Sequence, residues 1–561
     1  MTAQATDEEA HGLGSRFEVG EWLVLGLVSG FAIAFRIHHL PEWFSYDESQ
    51  HYLITRSPLL LDFVREFRIR THPPLSYLLI KPFVALGPSL YWAKTMSMLA
   101  GLGSIWVAYI ALRRATRSIG AATCGALLVG FVQTFVEQSF SVRGYSLMLL
   151  FIWLSLLQHF RMVDGRFDDP REQVRMAVLL SLALASEYSA VFHVLALSAV
   201  VVIPIALDGR RPRRVRDAFA SSRPYVVPLV CIALFFGWQF QTTYPVEHVH
   251  TRSAMYPGSW ADLGQMGSFL YERVVRHANG LIRNPWGAGI LALALLPVVP
   301  GLPRGLWTPR CRRLSAYCAA ALALLALASL LHLYPLGGVP RHASFIVPGV
   351  LAGGLLAVVE VLRATIESRR LRAVVGGSLM AALSFGVAKD LSGYTTHLTS
   401  ALVDSSENGF LSRYLDEPTS MVTNWKGRTS ATTWFFRGAP SRLVEDSEEM
   451  LRFDIGGITL VQFDFARKER KAGLQASAVA RWATRLARRE GRSWIVLSDN
   501  SQEQLVRERD DILRRIAAKD DIEVRLVELG RYAVVGSEFR SRATRTPAFG
   551  LISLVMMIES R

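Results

Sequence analysis

Residues 73 to 87 read PPLSYLLIKPFVALG, and the topology of the chain turns on them. The stretch is apolar, but it has fifteen residues, three prolines and a lysine, Lys81. Crossing a bilayer takes about twenty apolar residues, and proline inside a helix removes a hydrogen bond. Eleven other apolar runs surround it, at roughly residues 22–38, 90–112, 119–137, 144–162, 174–189, 190–207, 224–241, 287–301, 314–333, 343–362 and 372–390. Arginines crowd five short connections: Arg113, Arg114 and Arg117, then RMVDGRFDDPREQVR (161–175), DGRRPRRVRDAFASSR (208–223), PRGLWTPRCRR (303–313) and RATIESRRLR (363–372). Lys and Arg collect on the cytoplasmic side of short loops. With the N-terminus inside, all five fall on that side only if residues 73–112 cross once. The 73–87 segment is therefore expected to lie along the outer interface as a juxtamembrane helix. The alternative, a short tilted twelfth span, would put RRATR outside.

Composition agrees with a multi-pass membrane protein. Of 561 residues, 51% are hydrophobic, and mean hydropathy is positive. The first run, WLVLGLVSGFAIAF, follows an acidic N-terminus without a basic n-region or small-residue cleavage site, so it reads as a retained helix rather than a signal peptide. The formal charge of +15 resides largely in inter-span arginines that orient the chain, and implies no nucleic-acid partner. Cys124, Cys231, Cys311 and Cys318 lie in or beside apolar runs without metal-ligand spacing, so neither a disulfide nor zinc is needed.

After residue 390 the pattern changes. ITLVQFDF, RSWIVLSDN, the charged run SQEQLVRERDDILRRIAAK, IEVRLVEL and RYAVVGSEF read as elements of a small soluble α/β domain. An odd number of spans places it outside the cytoplasm. The expected organisation is a cytoplasmic tail (1–20), a transmembrane domain (21–390) whose first outer loop is 39–89, an extracytoplasmic α/β domain (391–545) and an apolar tail (546–561). FGLISLVMMI in that tail is too short to span, and is expected as a buried strand or resting on the membrane. No internal repeat, P-loop or dinucleotide fingerprint is present.

This topology leaves the first outer loop, the turn from Glu137 to Arg143, residues 242–286 and HLYPLGGVPRH (332–342) on the outer face. The first loop contains FSYDESQHYLITR (44–56), with adjacent carboxylates Asp47 and Glu48, followed by His51 and His72. Arg143 and Tyr145 open a span, where a cation is costly unless paired or facing an anion. Arg341 and His342 stand at another outer helix start. Glu187 and Tyr188 mark a tight outer turn. Gly337-Gly338 and Gly353-Gly354 suit turns and close helix packing better than a phosphate loop.

In order, SYDESQHY, HPPLSYLLIKPF, SVRGYSL and PRHASFIVP resemble the polytopic glycosyltransferases of the C-type (GT-C) fold. The resemblance covers roughly residues 20–390 and is nearest to bacterial members of the protein O-mannosyltransferase and aminoarabinose transferase superfamily, the dolichyl-phosphate-mannose-mannosyltransferase-like group. It implies an all-α polytopic membrane protein of about eleven transmembrane helices, with juxtamembrane helices in the first outer loop and a small C-terminal α/β domain. The implied donor is a polyprenyl-phosphate-linked sugar, and the acceptor a glycan, lipid or protein hydroxyl. The family's essential acid falls on Asp47, with Glu48 completing the pair. Its phosphate-binding basic position falls on His72, so His72, Lys81 or an arginine is left to carry the phosphate. Arg143 and Arg341 are the first choices, with Lys81, His72 and His342 behind them. A second outer-loop acid usual in these enzymes has Glu137 as its nearest counterpart, and the family's late Arg-Tyr is Arg341-His342 here. His51, Glu137, Tyr145, Glu187 and Tyr188 complete the candidate substrate site.

The leaving group is already a phosphate, so an acid is unnecessary, and fixed cations can meet its developing charge. No metal or other cofactor is then required, although Asp47 and Glu48 with a histidine offer ligands for a divalent ion. The implied location is a bacterial inner membrane, with the N-terminus cytoplasmic. The competing classes are a transporter or lipid flippase and a non-catalytic membrane scaffold. Against the first, the charges gather at one face and no repeat is present; against the second, the motif set is largely complete.

Overall fold

The structure is a computed structural model that describes residues 18–38, 48, 51, 52, 55, 73–87, 90–163, 167, 169–207, 222–235, 262–282, 285–300, 302–331, 334, 340–368, 370–379, 381–383, 385–386, 420–424, 441–446, 450–455, 458–463, 472–499, 502–519, 521–533 and 550–560. The chain is a bundle of apolar helices, as in a multi-pass membrane protein, followed by an α/β sheet.

The bundle contains α1 (Val19–His38), α2 (Pro74–Ala85), α3 (Leu90–Thr116), α4 (Ile119–Phe131), α5 (Gln133–Phe140), α6 (Tyr145–Arg161), α7 (Pro170–Ser186), α8 (Ala190–Leu207), α9 (Ser222–Phe235), α10 (Leu263–Ile282), α11 (Pro285–Leu295), α12 (Pro309–Leu330) and α13 (Val347–Thr365). Among the described residues four helices are long and apolar enough to cross a membrane, or five if a bent pair counts as one span. That pair is α4 and α5, which meet at 50° where the sequence reads one continuous run. Val132 breaks it with an extended backbone, φ −62° and ψ 131°. The buried Arg36 guanidinium donates to Gly130 O at 2.9 Å, serving a carbonyl in the last turn of α4. α2 has twelve residues, a length of about 18 Å at 1.5 Å per residue, well short of a bilayer core.

Local signals explain the helix boundaries. α7 begins at Pro170 behind the Asp169 cap, whose carboxylate accepts from Arg171 N at 2.9 Å. α12 begins the same way, with Pro309 behind Thr308; Thr308 N also donates to the buried Glu360 of α13 at 2.8 Å. The arginines between the apolar runs also hold helix ends together. Arg310 and Arg363 donate to Arg114 O and Thr116 O at 3.4 and 2.8 Å, placing cations at the negative end of α3. Arg113 meets Glu21 at 2.9 Å.

The bundle core runs through Ile105, Tyr109, Val129, Met148, Trp153, Leu180, Tyr317 and Leu351. Small residues let helices touch. A Cβ on Gly354 would lie 2.8 Å from Ile290 Cγ2 and 2.9 Å from Ile290 O, so Gly353-Gly354 is a packing site, as its sequence suggests. His193 bridges three helices, bonded to Ser155 and Tyr317 at 2.7 Å each.

The C-terminal part forms β1 (Met421–Asn424), β2 (Ser441–Asp446), β3 (Met450–Ile455), β4 (Ile458–Phe463), α14 (Ala472–Glu490), β5 (Arg492–Asp499), α15 (Gln502–Ala517), β6 (Ile522–Ala533) and β7 (Gly550–Ser560). The sheet order is β2-β3-β4-β1-β5-β7-β6. β1 runs parallel to β4 and β5, and the remaining pairs are antiparallel. α14 and α15 pack on it through Val479, Ala483, Leu486, Ile512 and Ile516, against Val422, Val461, Ile495 and Met556. Two sequence expectations are refined. IEVRLVEL and RYA form one continuous strand, because Gly530 stays in the ladder opposite Ser553. The apolar tail is an inner strand, hydrogen-bonded on both edges, so its hydrophobicity serves the sheet.

Candidate functional site

The site grows from α2. Pro74 occupies the first helical turn, and Ser76, Tyr77, Ile80 and Val84 are its buried stripe. Ile80 and Val84 pack with Tyr52, Ala93, Met96, Ala100, Val142 and Leu147, which brings α2, α3 and the start of α6 together. The described residues between α1 and α2 attach to this surface. His51 is 2% exposed, lies 3.2 Å from Ser76 Oγ through Nε2, and stacks on Tyr77 at 3.9 Å and 9°. Lys81 donates to Thr55 O at 3.3 Å. These residues and α2 form one packed unit.

Glu48 ties that unit to the α5–α6 turn. Its carboxylate, 7% exposed, accepts from Val142 N at 2.9 Å, the residue before Arg143. Arg143 is 4% exposed; its carbonyl accepts from Ser97 at 3.4 Å, and its guanidinium lies 5.6 Å from the Tyr145 ring centroid. Lys94, one turn before Ser97 on α3, is 1% exposed and lies within the field of the Glu48 carboxylate. Burying charge is costly unless another charge or a hydrogen bond compensates it. The Glu48 carboxylate offsets part of that cost for Lys94.

The α7–α8 turn closes another side. Gly144 lies so near Ser186 O that a Cβ would collide with it. Glu187 is buried. The neighbouring Tyr188 hydroxyl is pushed well above its ordinary pKa by burial, then by the Glu187 charge and by Tyr77.

Of the residues singled out in the sequence, Glu48, His51, Lys81, Arg143, Tyr145, Glu187 and Tyr188 belong to this one contiguous region. Glu137 is half-buried on α5 and accepts from Gln133 Nε2 at 2.7 Å. Arg341 and His342 lie on the 3₁₀ turn Pro340–Ile346, which packs against α5, α6 and α8; their side chains are outside the described residues. Asp47 and His72 are also outside them. Lys94, Ser97, Ser76 and Tyr77 were missed. Lys94 had a signal, because it is the single charged residue within the apolar run 90–112, and Ser97 and Gly101 continue its helix face.

Among the described residues no group of three His, Cys, Asp or Glu side chains is arranged to hold a metal ion. What the region offers is a set of fixed cations beside carboxylates, suited to binding an anion and handling a proton next to it.

No family profile matches the chain, and no curated protein matches it. Solved structures do. ArnT from Cupriavidus metallidurans bound to undecaprenyl phosphate is 13% identical, with 96% of this chain and 98% of that one covered at a TM-score of 0.48. The Archaeoglobus fulgidus oligosaccharyltransferase AglB, in complex with an inhibitory peptide and a dolichol-phosphate, is 12% identical, with 95% and 75% covered at 0.45. The S. cerevisiae protein O-mannosyltransferase Pmt1-Pmt2 complex, bound to the sugar donor, is 16% identical at 0.34; the match covers 42% of this chain and about a third, 36%, of that one.

Proposed function

We propose that the chain is an integral membrane glycosyltransferase that moves a sugar from a polyprenyl-phosphate donor to an acceptor hydroxyl at the extracytoplasmic face. The observation that carries this reading is the tie between Glu48 and Val142 N at 2.9 Å. It joins the loop bearing the acidic pair to the turn bearing Arg143, beside the buried Lys94. Acidic-pair loop, juxtamembrane helix and cationic helix start are three of the four motifs by which the sequence resembles the C-type glycosyltransferases.

In the proposed reaction Asp47, next in sequence to Glu48, takes the proton from the acceptor hydroxyl as its oxygen attacks the anomeric carbon. The bond from that carbon to the phosphate oxygen breaks, and the polyprenyl phosphate leaves with the electron pair. Attack opposite the phosphate inverts the anomeric centre. A positioned base contributes about 10²- to 10⁴-fold. Arg143, whose fork can hold two phosphate oxygens, and Lys94 meet the leaving charge; Arg341, His72, Lys81 and His342 remain candidates for the same task. No step needs a metal. Glu48 is a positioning residue in this scheme, since its carboxylate is committed to Val142 N and faces Lys94. The reading places the N-terminus in the cytoplasm and the α/β sheet outside, in a bacterial inner membrane.

The test compares membrane glycolipids and glycoproteins with and without the protein, and with Asp47→Asn. One glycan residue should disappear in both the deletion and the variant, while the variant remains folded and membrane-inserted. Normal glycosylation with Asp47→Asn refutes the assignment of the base; an unchanged glycan profile on deletion refutes the activity.

A further inference from the structure

The outward side of α14 is unlike the rest of the sheet domain. Its buried side is made of Ala476, Val479, Ala480, Ala483, Leu486 and Ala487. Arg481, Arg485 and Arg488, four and three residues apart, share the opposite face and are exposed, as is Arg489. Two of the four are paired: Arg488 binds Asp521 through two bonds of 2.5 and 2.8 Å, and Arg489 binds Glu490. Arg481 and Arg485 have no carboxylate within salt-bridge distance among the described residues. Arg485 lies 4.6 Å from the Trp482 ring centroid, and Arg452 of β3 reaches the same ring at 5.8 Å.

Lys519, beyond the end of α15, completes the cluster. Its ammonium is held below the usual lysine range, first by burial and then by the Arg488 and Arg481 charges, with Asp521 opposing. Arg481 and Arg485 therefore add positive charge to this face beyond what the described carboxylates pair. α15 is the contrast: Arg509 pairs with Asp510, and Arg514 and Arg515 pair with Asp511.

We propose that this face of α14 docks on anionic lipid headgroups of the bilayer that holds the helices. Exposed arginines are the chemistry of the membrane surface, where a guanidinium meets phosphate; Trp482, packed against the sheet-domain core, backs Arg485 from beneath. The chain supplies the proximity. Met421 opens the sheet 35 residues after Gly386, the last described residue of the bundle (421 − 386 = 35). Covalent attachment makes headgroups the polyanion at the highest local concentration. The proposal is independent of the glycosyltransferase reading, because it concerns only the sheet domain and the membrane surface on its side.

The experiment uses the full chain in lipid nanodiscs. Ser477→Cys, one turn before Arg481, takes a fluorophore in a Cys231→Ser background, since Cys231 is the exposed cysteine and the other three are buried. The readout is quenching by a lipid with a headgroup nitroxide, in phosphatidylcholine discs with and without phosphatidylglycerol. Quenching should appear with the anionic lipid and fall in high salt. Arg481→Gln with Arg485→Gln should weaken docking about fivefold per arginine, whereas Arg507→Gln with Arg514→Gln on α15 should leave it intact. If the α14 double variant does not fold, the salt and lipid arms alone decide. Equal quenching in both discs, or none in either, overturns the proposal. So does a fluorescence change driven by heparin in zwitterionic discs without an anionic-lipid effect, which would assign the face to a soluble polyanion.

Discussion

Replacing Glu48 with glutamine tests how the site is held together, without any assumption about substrate. The carboxylate is 7% exposed and Lys94 is 1% exposed, with Val142 N donating to Glu48 at 2.9 Å. Glutamine keeps an acceptor for Val142 but removes the charge. A hydrogen bond to an ionised acceptor contributes about 1.5–3 kcal/mol against about 1 for a neutral one, so weakening this bond costs about 1 kcal/mol. The greater loss falls on Lys94, whose buried ammonium is left without its compensating charge; breaking a buried pair from one side costs about 3–5 kcal/mol. Solvent relaxation and the neighbouring polar groups reduce this, and a total of about 2–4 kcal/mol is expected. Lys94→Met alone should destabilise for the converse reason. The double variant Glu48→Gln/Lys94→Met should be more stable than the sum of the two losses, by about 1–3 kcal/mol. Thermal unfolding of the four proteins in one detergent, followed by the loss of the monodisperse fraction, completes the cycle. If Glu48→Gln melts with the parent protein, or the double variant equals the sum of the singles, the pair is not coupled.

Other variants probe neighbouring parts. Gly144→Ala drives a methyl into the Ser186 carbonyl, which a backbone cannot easily avoid, so it should cost about 1–3 kcal/mol and reduce the folded yield; an unchanged melting temperature would contradict that packing. Gly101→Ala collides with the Ser139 hydroxyl, so adding Ser139→Ala should recover part of the lost melting temperature. Tyr188 has a folded pKa raised by burial, Glu187 and Tyr77; its contribution to stability is therefore complete below the unfolded value of about 10 and lost as pH rises through the folded value. Tyr188→Phe should flatten the alkaline fall of the melting temperature, and an identical profile would refute the assigned environment. Arg143→Gln should weaken binding of a polyprenyl phosphate in a direct binding assay, by about tenfold for roughly 1.4 kcal/mol of a charge-assisted bond, with folding retained.

Much of the architecture was legible because its causes are local in sequence. Apolar run length marks the helices, arginine clusters mark the connections between them, and the prolines and lysine of 73–87 mark a helix too short to span. Asp169-Pro170 and Thr308-Pro309 announce helix starts through a side chain that binds a backbone only two or three residues away. The continuous apolar run WIVL that marks β5 as a buried strand is equally local. The bend at Val132 was less legible, since nothing in GFVQTF interrupts the apolar pattern strongly; the Arg36 bond to Gly130 O links residues 94 positions apart.

The sequence by itself determined a many-helix membrane protein, a short helix between the first two long apolar runs, a following α/β part, and connecting segments rich in acids, histidines and arginines. Only the tertiary structure decided which of those side chains meet. Glu48 reaches Val142 N across 94 residues, the Glu48 charge acts on Lys94, and Tyr188 on the α7–α8 turn comes beside Tyr77. It also decided that the apolar tail is an inner strand, bonded to β5 and β6. The physical reason is one of range: length, capping and charge asymmetry act within a few residues, whereas compensating a buried charge or carbonyl requires a partner that another helix or strand must deliver.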